Sequence, residues 1–202
     1  MVIKKIVVIG PESTGKSTLC EQLAAHYKTN WIPEYAREYL LKNGTNYKYE
    51  DLFEIAKGQM RLEDDFTKTW HMERGKELNK TKYKLTGPAA SHLGYPLILD
   101  TNLYVMKVWS EIAFNKCDNR ILTQIAMRQY DLYLLCNPDL PWAPDSLREY
   151  PDLKTRERIY HFYKEAMVKQ KTTWTDIKGN YEERFQQAVA AIDAMLKHSP
   201  KL

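Results

Sequence analysis

The apolar residues Ile3, Ile6, Val7, Val8 and Ile9 are followed by Gly10-Pro11-Glu12-Ser13-Thr14-Gly15-Lys16-Ser17-Thr18, which fits the pattern G-x-x-x-x-G-K-[ST]. Two glycines at this spacing let the backbone turn tightly and aim successive N–H groups inward, forming an anion cradle at the start of a helix. Lys16 adds a mobile positive charge for the β- and γ-phosphates, and the Ser17 hydroxyl suits a magnesium ion bridging phosphate oxygens. The apolar run reads as a buried strand, and Thr18 to Ala25 continues as a helix. A glycine turn in some unrelated α/β unit is the competing reading, and the order strand, loop, helix argues against it.

The rest of the chain alternates in the same way. Trp31-Ile32 is a short second strand that Pro33 ends, because proline cannot donate to a ladder. In a parallel sheet the ligand crevice lies beyond the carboxyl ends of the strands, so Glu34, Tyr35, Arg37 and Glu38 fall near the phosphates. Leu52 to Trp70 carries a helical apolar stripe, and about 71–95 dissolves into Lys, Asn, Thr, Gly and Pro and reads as an insertion. Pro96 to Asp100 is a buried central strand that ends on a carboxylate, the place of a Walker B aspartate. Helices are expected from near Asn102 and over about 118–128, a fourth strand over Tyr130–Cys136, a helix over 155–169, a last strand over Thr172–Ile177, and a closing helix.

The proline-rich stretch after the fourth strand leads to Arg148, Arg156 and Arg158. A loop bearing arginines at the strand ends suggests a lid over about 138–158, whose Arg148 and Arg156 would meet a transferring phosphoryl group. The fold expected is α/β: a three-layer P-loop NTPase, 1–202 as a single domain, with a parallel sheet of about five strands covered by helices on both faces.

Composition narrows the function classes. Thirty basic against 26 acidic residues give a net charge of +4 without a block of like charge, so no nucleic-acid or membrane surface is expected. Cys20, Cys117 and Cys136 match no metal-ligand spacing and fit a reduced cytoplasmic protein. No run approaches the length of a membrane span, and the N-terminus shows no secretory signal pattern.

Read from the residues, the chemistry is ATP-dependent phosphoryl transfer to a small-molecule hydroxyl. Gly10 to Thr18 hold the nucleotide, Lys16 its terminal phosphates, Ser17 and Asp100 the magnesium ion directly or through water. An acceptor hydroxyl needs a carboxylate within reach, and Glu34 and Asp100 are the two candidates. Arg37 pairs with Glu34, with Glu38 or with substrate; Tyr35, Trp109 and Trp142 are candidate faces for a base or pyridinium ring. Gly179, after the last strand, is a candidate neighbour of the adenine.

Several stretches together resemble one family. Gly10 to Leu19, Pro33-Glu-Tyr-Ala-Arg-Glu38, Ile55-Ala-Lys-Gly-Gln59, Leu99-Asp-Thr101, Tyr130 to Leu135, Pro141-Trp142, Asp145 and Leu147-Arg148 look like the kinase domain of NadR-type proteins. The resemblance runs over about residues 3–195. It implies a ribosylnicotinamide kinase that phosphorylates the 5′-hydroxyl of nicotinamide riboside with ATP and Mg²⁺. The family is similar to small nucleoside kinases, in which the acid after the second strand contacts the acceptor hydroxyl, and this favours Glu34 for that role. Three departures stand out. The sequence starts at the first strand, without the adenylyltransferase domain that precedes the kinase in NadR proteins, so that activity is not expected here. The 71–95 insertion is longer than usual, and no pattern specific to a nicotinamide ring is present. A nucleotide-switched binding protein, or a kinase of another nucleoside or cofactor precursor, are the alternatives.

Overall fold

The computed structural model describes residues 2–74 and 95–197. The expected insertion therefore lies largely outside the described residues. The first strand, β1 (Ile3–Ile9), alternates its side chains between two cores. Ile3, Val7 and Ile9 join one apolar cluster, while Ile6 and Val8 join another. Such a strand is buried on both faces, which fits the centre of a parallel sheet.

It pairs in parallel with β3 (Tyr95–Asp100) on one side and β4 (Leu132–Cys136) on the other. The edges are β2 (Trp31–Ile32) and β5 (Trp174–Ile177), giving the order β2-β3-β1-β4-β5. All five strands are parallel, as the alternating pattern predicts. Helices α1 (Lys16–Tyr27) and α7 (Tyr181–Lys197) supply Leu19, Leu23, Ala188 and Ile192 to the cluster on one face. The opposite face is covered by α2 (Tyr35–Asn43), α3 (Tyr49–Arg74), α4 (Leu103–Phe114), α5 (Asn119–Met127) and α6 (Leu153–Lys169).

Two local outcomes differ from the sequence reading. The chain after Pro33 forms a helix, α2, which periodicity alone did not bring out: only Ala36 and Leu40, one turn apart, are buried, and Gly44 stops it. The lid expected over about 138–158 overlaps the helix expected over 155–169, and that helix begins two residues earlier than expected, because Asp152 caps α6 by accepting from Thr155 N at 2.7 Å. Arg156 and Arg158 thus stand on a helix.

A P-loop cleft at the strand ends

The register sets the site. Val8 lies beside Asp100 in the β1–β3 ladder, and Thr101 N donates to Val8 O at 3.0 Å, so the carboxylate emerges next to the loop that begins at Gly10. Thr101 takes φ 73°, a left-handed conformation costly for a β-branched residue, and turns the chain away directly after Asp100. Asn102 then caps α4 by accepting from Tyr104 N at 3.0 Å. At the start of the loop a side chain at Gly10 (φ 142°) would sit 2.5 Å from Cys136 O, so only glycine lets the loop pass this close to β4. Gly15 (φ 74°, ψ 17°) delivers the backbone into α1, where Leu19 N returns to Gly15 O at 2.9 Å.

A cleft of about 500 Å³ opens above these strand ends. Every residue from Gly10 to Thr18 lines it, together with Glu34, Arg37, Asp100, Trp109 and Arg148. Tyr35, Arg156 and Gly179 are not among the described residues lining it. Tyr35 lies against Gly58, where a Cβ would come within 1.9 Å of its ring. The Arg156 guanidinium turns inward to the carbonyls of Pro138 and Leu140, at 3.5 and 3.3 Å, because the lid's own backbone offers it acceptors. Trp142 stands between Arg148 and Arg156, whose guanidinium carbons lie 5.8 and 5.5 Å from its ring, so it braces the lid. Gly179 N donates to Asp139 Oδ2 at 2.7 Å.

Inside the cleft, Lys16 Nζ reaches Pro11 O at 2.8 Å. Burial raises the Asp100 carboxyl, against the lowering pull of Lys16 and the Ser17 hydroxyl. Its Oδ1 is buried with no hydrogen-bond partner among the described residues. A buried, unpartnered carboxylate oxygen beside a P-loop serine suits magnesium, which keeps phosphate and water ligands and needs few from the protein. No cluster of three acidic, His or Cys side chains that could hold a metal occurs among the described residues. Glu34 is half-buried. Burial first, and the Asp100 charge second, push its carboxyl up to about 7, while Lys16 and Arg37 pull the other way.

The lid stretch, about 138–152, is fastened to the phosphate loop by residues whose role the sequence did not disclose. Glu12 accepts from the Glu149 and Tyr150 amides at 2.9 and 3.1 Å, and Ser13 Oγ accepts from Ala143 N at 2.8 Å. Arg37, a candidate partner for Glu34, Glu38 or substrate, meets Asp145 Oδ2 on the lid at 2.9 Å. Trp109 Nε1 donates to Tyr47 Oη at 2.8 Å, and Tyr47 Oη donates to Glu149 at 3.0 Å, which closes the far wall. Arg184, on the last helix, is buried at 2 % exposure. It donates to Thr14 O at 3.1 Å, Asn137 O at 2.9 Å and Gly179 O at 2.7 Å, and pairs with Asp139. One buried cation thereby ties together the phosphate loop and the loops that follow β4 and β5. An arginine in an amphipathic helix carries no sequence signal for such a role; Thr14, Asn137 and Asp139 lie 170, 47 and 45 residues away.

A parallel sheet of this order, with its glycine cradle and strand-end aspartate, defines a P-loop nucleotide-binding domain of the NTPase class. The particular family follows from comparison: residues 5–184 match the AAA_28 family, described as AAA domain, and the chain belongs to it. Among curated proteins it is 22% identical over 199 residues to the trifunctional NAD biosynthesis/regulator protein NadR of Salmonella typhimurium. It is 21% identical to NadR of Escherichia coli. These alignments cover 96% of this chain but 43% of each relative, so the chain spans less than half their length. Solved structures of NadR, one in complex with NR and one with NAD and AMP-PNP, superpose with TM-scores of 0.65 and 0.67 at 18% and 19% identity. They cover 98% and 99% of this chain, and it covers 53% and 51% of theirs. Deoxyadenosine kinase from M. mycoides with bound dATP gives 0.54 at 12% identity, covering 94% of this chain and 99% of that one. The NadR-type resemblance read from the motifs is borne out, as is the three-layer P-loop fold. No described helix is long and apolar enough to cross a membrane.

Proposed function

We propose that this chain is a phosphotransferase that uses ATP to phosphorylate a nucleoside-like hydroxyl, with nicotinamide riboside as the acceptor. The observation that carries the reading is Glu34. A carboxyl held near neutral pKa shares one cleft with a phosphate cradle, Lys16 and a strand-end aspartate. A group poised near the working pH is suited to accept a hydroxyl proton as the oxygen attacks phosphorus. The amides of the 10–18 loop and Lys16 orient the triphosphate; Ser17 and Asp100 would hold magnesium, which neutralises charge on the phosphate oxygens. Arg148, on the lid and in the same cleft, adds a guanidinium for charge developing on the transferred group, and the lid excludes water.

The acceptor assignment is supported by the NadR relatives, one of whose structures is titled as a complex with NR, and by Trp109 in the far wall, an aromatic face for a pyridinium ring. Hydrogen bonds from the lid to Glu12 and Ser13 favour a second reading, in which nucleotide occupancy switches the lid for a binding partner. The two separate on ADP release measured with Mg-ATP and a panel of nucleosides and vitamins. A kinase releases ADP at a rate that depends on one acceptor, nicotinamide riboside in this reading. Release that ignores every acceptor would support the switch instead.

A further inference from the structure

We infer that Gln59 is a positioning residue for the Glu34 carboxyl, acting by clasping the two peptide groups on either side of it. The inference rests on the reading of Glu34 as the base. Gln59 stands on α3, 24 residues from Tyr35, and is buried at 4 % exposure. Its Oε1 accepts from Tyr35 N at 2.7 Å and its Nε2 donates to Pro33 O at 3.3 Å. A backbone donor at one end and a backbone acceptor at the other leave one orientation for the amide. One side chain thus fixes both peptide planes that flank the Glu34 Cα, and with them its φ of −69° and ψ of 117°.

The second consequence concerns capping. Glu34 occupies the N-cap of α2 and yet makes no side-chain capping bond. Elsewhere in this chain polar N-cap residues do: Asn102 accepts from Tyr104 N, Asp118 from Arg120 N, and Asp152 from Thr155 N. The first amides of a helix need acceptors, and an acid at the N-cap ordinarily provides one. At α2 Gln59 takes the Tyr35 amide, the first of the helix, while the Glu34 carboxyl makes no bond to the amides two and three residues on that an N-cap side chain ordinarily reaches, and lines the cleft instead. Gly58, next to Gln59, makes this possible by admitting the Tyr35 ring where any Cβ would sit within 1.9 Å of it.

The test compares Gln59→Leu, Gln59→Glu, Glu34→Gln and the double variant Glu34→Gln/Gln59→Leu by kcat, KM for ATP and the pH profile of kcat. Gln59→Leu is expected to lower kcat by about 10 to 100-fold, with KM for ATP changed less than about threefold, since a displacement of about 1 Å is enough for such a loss. Released from the clasp, the Glu34 carboxyl caps its own helix, and the acidic limb of the profile moves to lower pH. Gln59→Glu keeps an acceptor for the Tyr35 amide, loses the donor to Pro33 O and adds a neighbouring acid. It recovers only part of the lost kcat and moves the limb to higher pH, and it carries the test by itself should Gln59→Leu not fold. The double variant is expected to be no slower than Glu34→Gln alone. Folded Gln59 variants with unaltered kcat and pH profile, beside an impaired Glu34→Gln, would overturn the positioning role and leave the kinase reading standing. A fully active Glu34→Gln would overturn the reading of Glu34 as the base and the positioning role with it.

Discussion

Replacing Glu34 by Gln is expected to stabilise the protein above neutral pH while damaging its turnover. The carboxyl binds its proton at about 7 in the fold against 4.5 for the ordinary group. Its folded pKa is raised, so between these two values the native state holds a proton that the unfolded chain has lost. Stability therefore falls as pH rises through that window, and the penalty is complete above about 7. At pH 8 the ionised carboxylate costs on the order of 3 kcal/mol, and at pH 5 about 1 kcal/mol. Glutamine conserves the volume and cannot ionise. The variant should unfold about 6 to 12 °C higher than the unaltered protein at pH 8, the shift shrinking to a few degrees at pH 5. Thermal unfolding followed by circular dichroism at both pH values, with kcat beside it, makes the comparison. A gain of the same size at both pH values, or a loss at pH 8, would refute the burial of this carboxyl and its place as a poised base.

Lys16→Ala should lower turnover by about 10³-fold without changing the unfolding temperature by more than a degree or two, since the role proposed for Lys16 is that of a preorganised charge at the phosphates; undiminished ADP formation would contradict that role. Glu63 is buried at 2 % exposure at the far end of β1, with Lys5 Nζ at 2.7 Å, Tyr130 Oη at 3.0 Å and Arg128 at 3.4 Å. Glu63→Ala leaves Lys5 without its carboxylate, while Arg128 keeps Asp64 at 2.7 Å, and should cost about 3 kcal/mol in denaturant unfolding, with kcat at saturating substrate unchanged. The kcat should fall on the acid side of about pH 7 as Glu34 protonates; an acidic limb unmoved in Glu34→Gln would assign it to another group.

What the sequence made readable is local in character. The phosphate loop, the aspartate that closes β3 and the central strands β1, β3 and β4 each announce themselves within a window of about ten residues, through glycine spacing or a run of apolar residues. Helix α2 did not, because its nine residues bury only Ala36 and Leu40, too few for a stripe. The inward turn of Arg156 and the buried hub at Arg184 were hidden for a different reason. Apart from Asp139, which pairs with Arg184, their partners are backbone carbonyls, which no sequence pattern distinguishes, brought close by the fold from as far as 170 residues away. Gln59 stood inside a recognisable motif, but its grip on Pro33 and Tyr35 is a property of how α3 packs on α2. Arg37 was legible as a charged group near the cleft and not as a lid contact, since Asp145 lies 108 residues on.

The central claim is that the terminal phosphoryl group leaves ATP for a hydroxyl of a bound nucleoside. It is tested most directly with ATP carrying oxygen-18 on the γ-phosphoryl, magnesium and nicotinamide riboside, with the products weighed by mass spectrometry. The account predicts labelled phosphate on the 5′-oxygen of the riboside in equal amount to the ADP formed, and none of this product with Lys16→Ala. Label recovered only in inorganic phosphate, with the riboside unchanged, would contradict it.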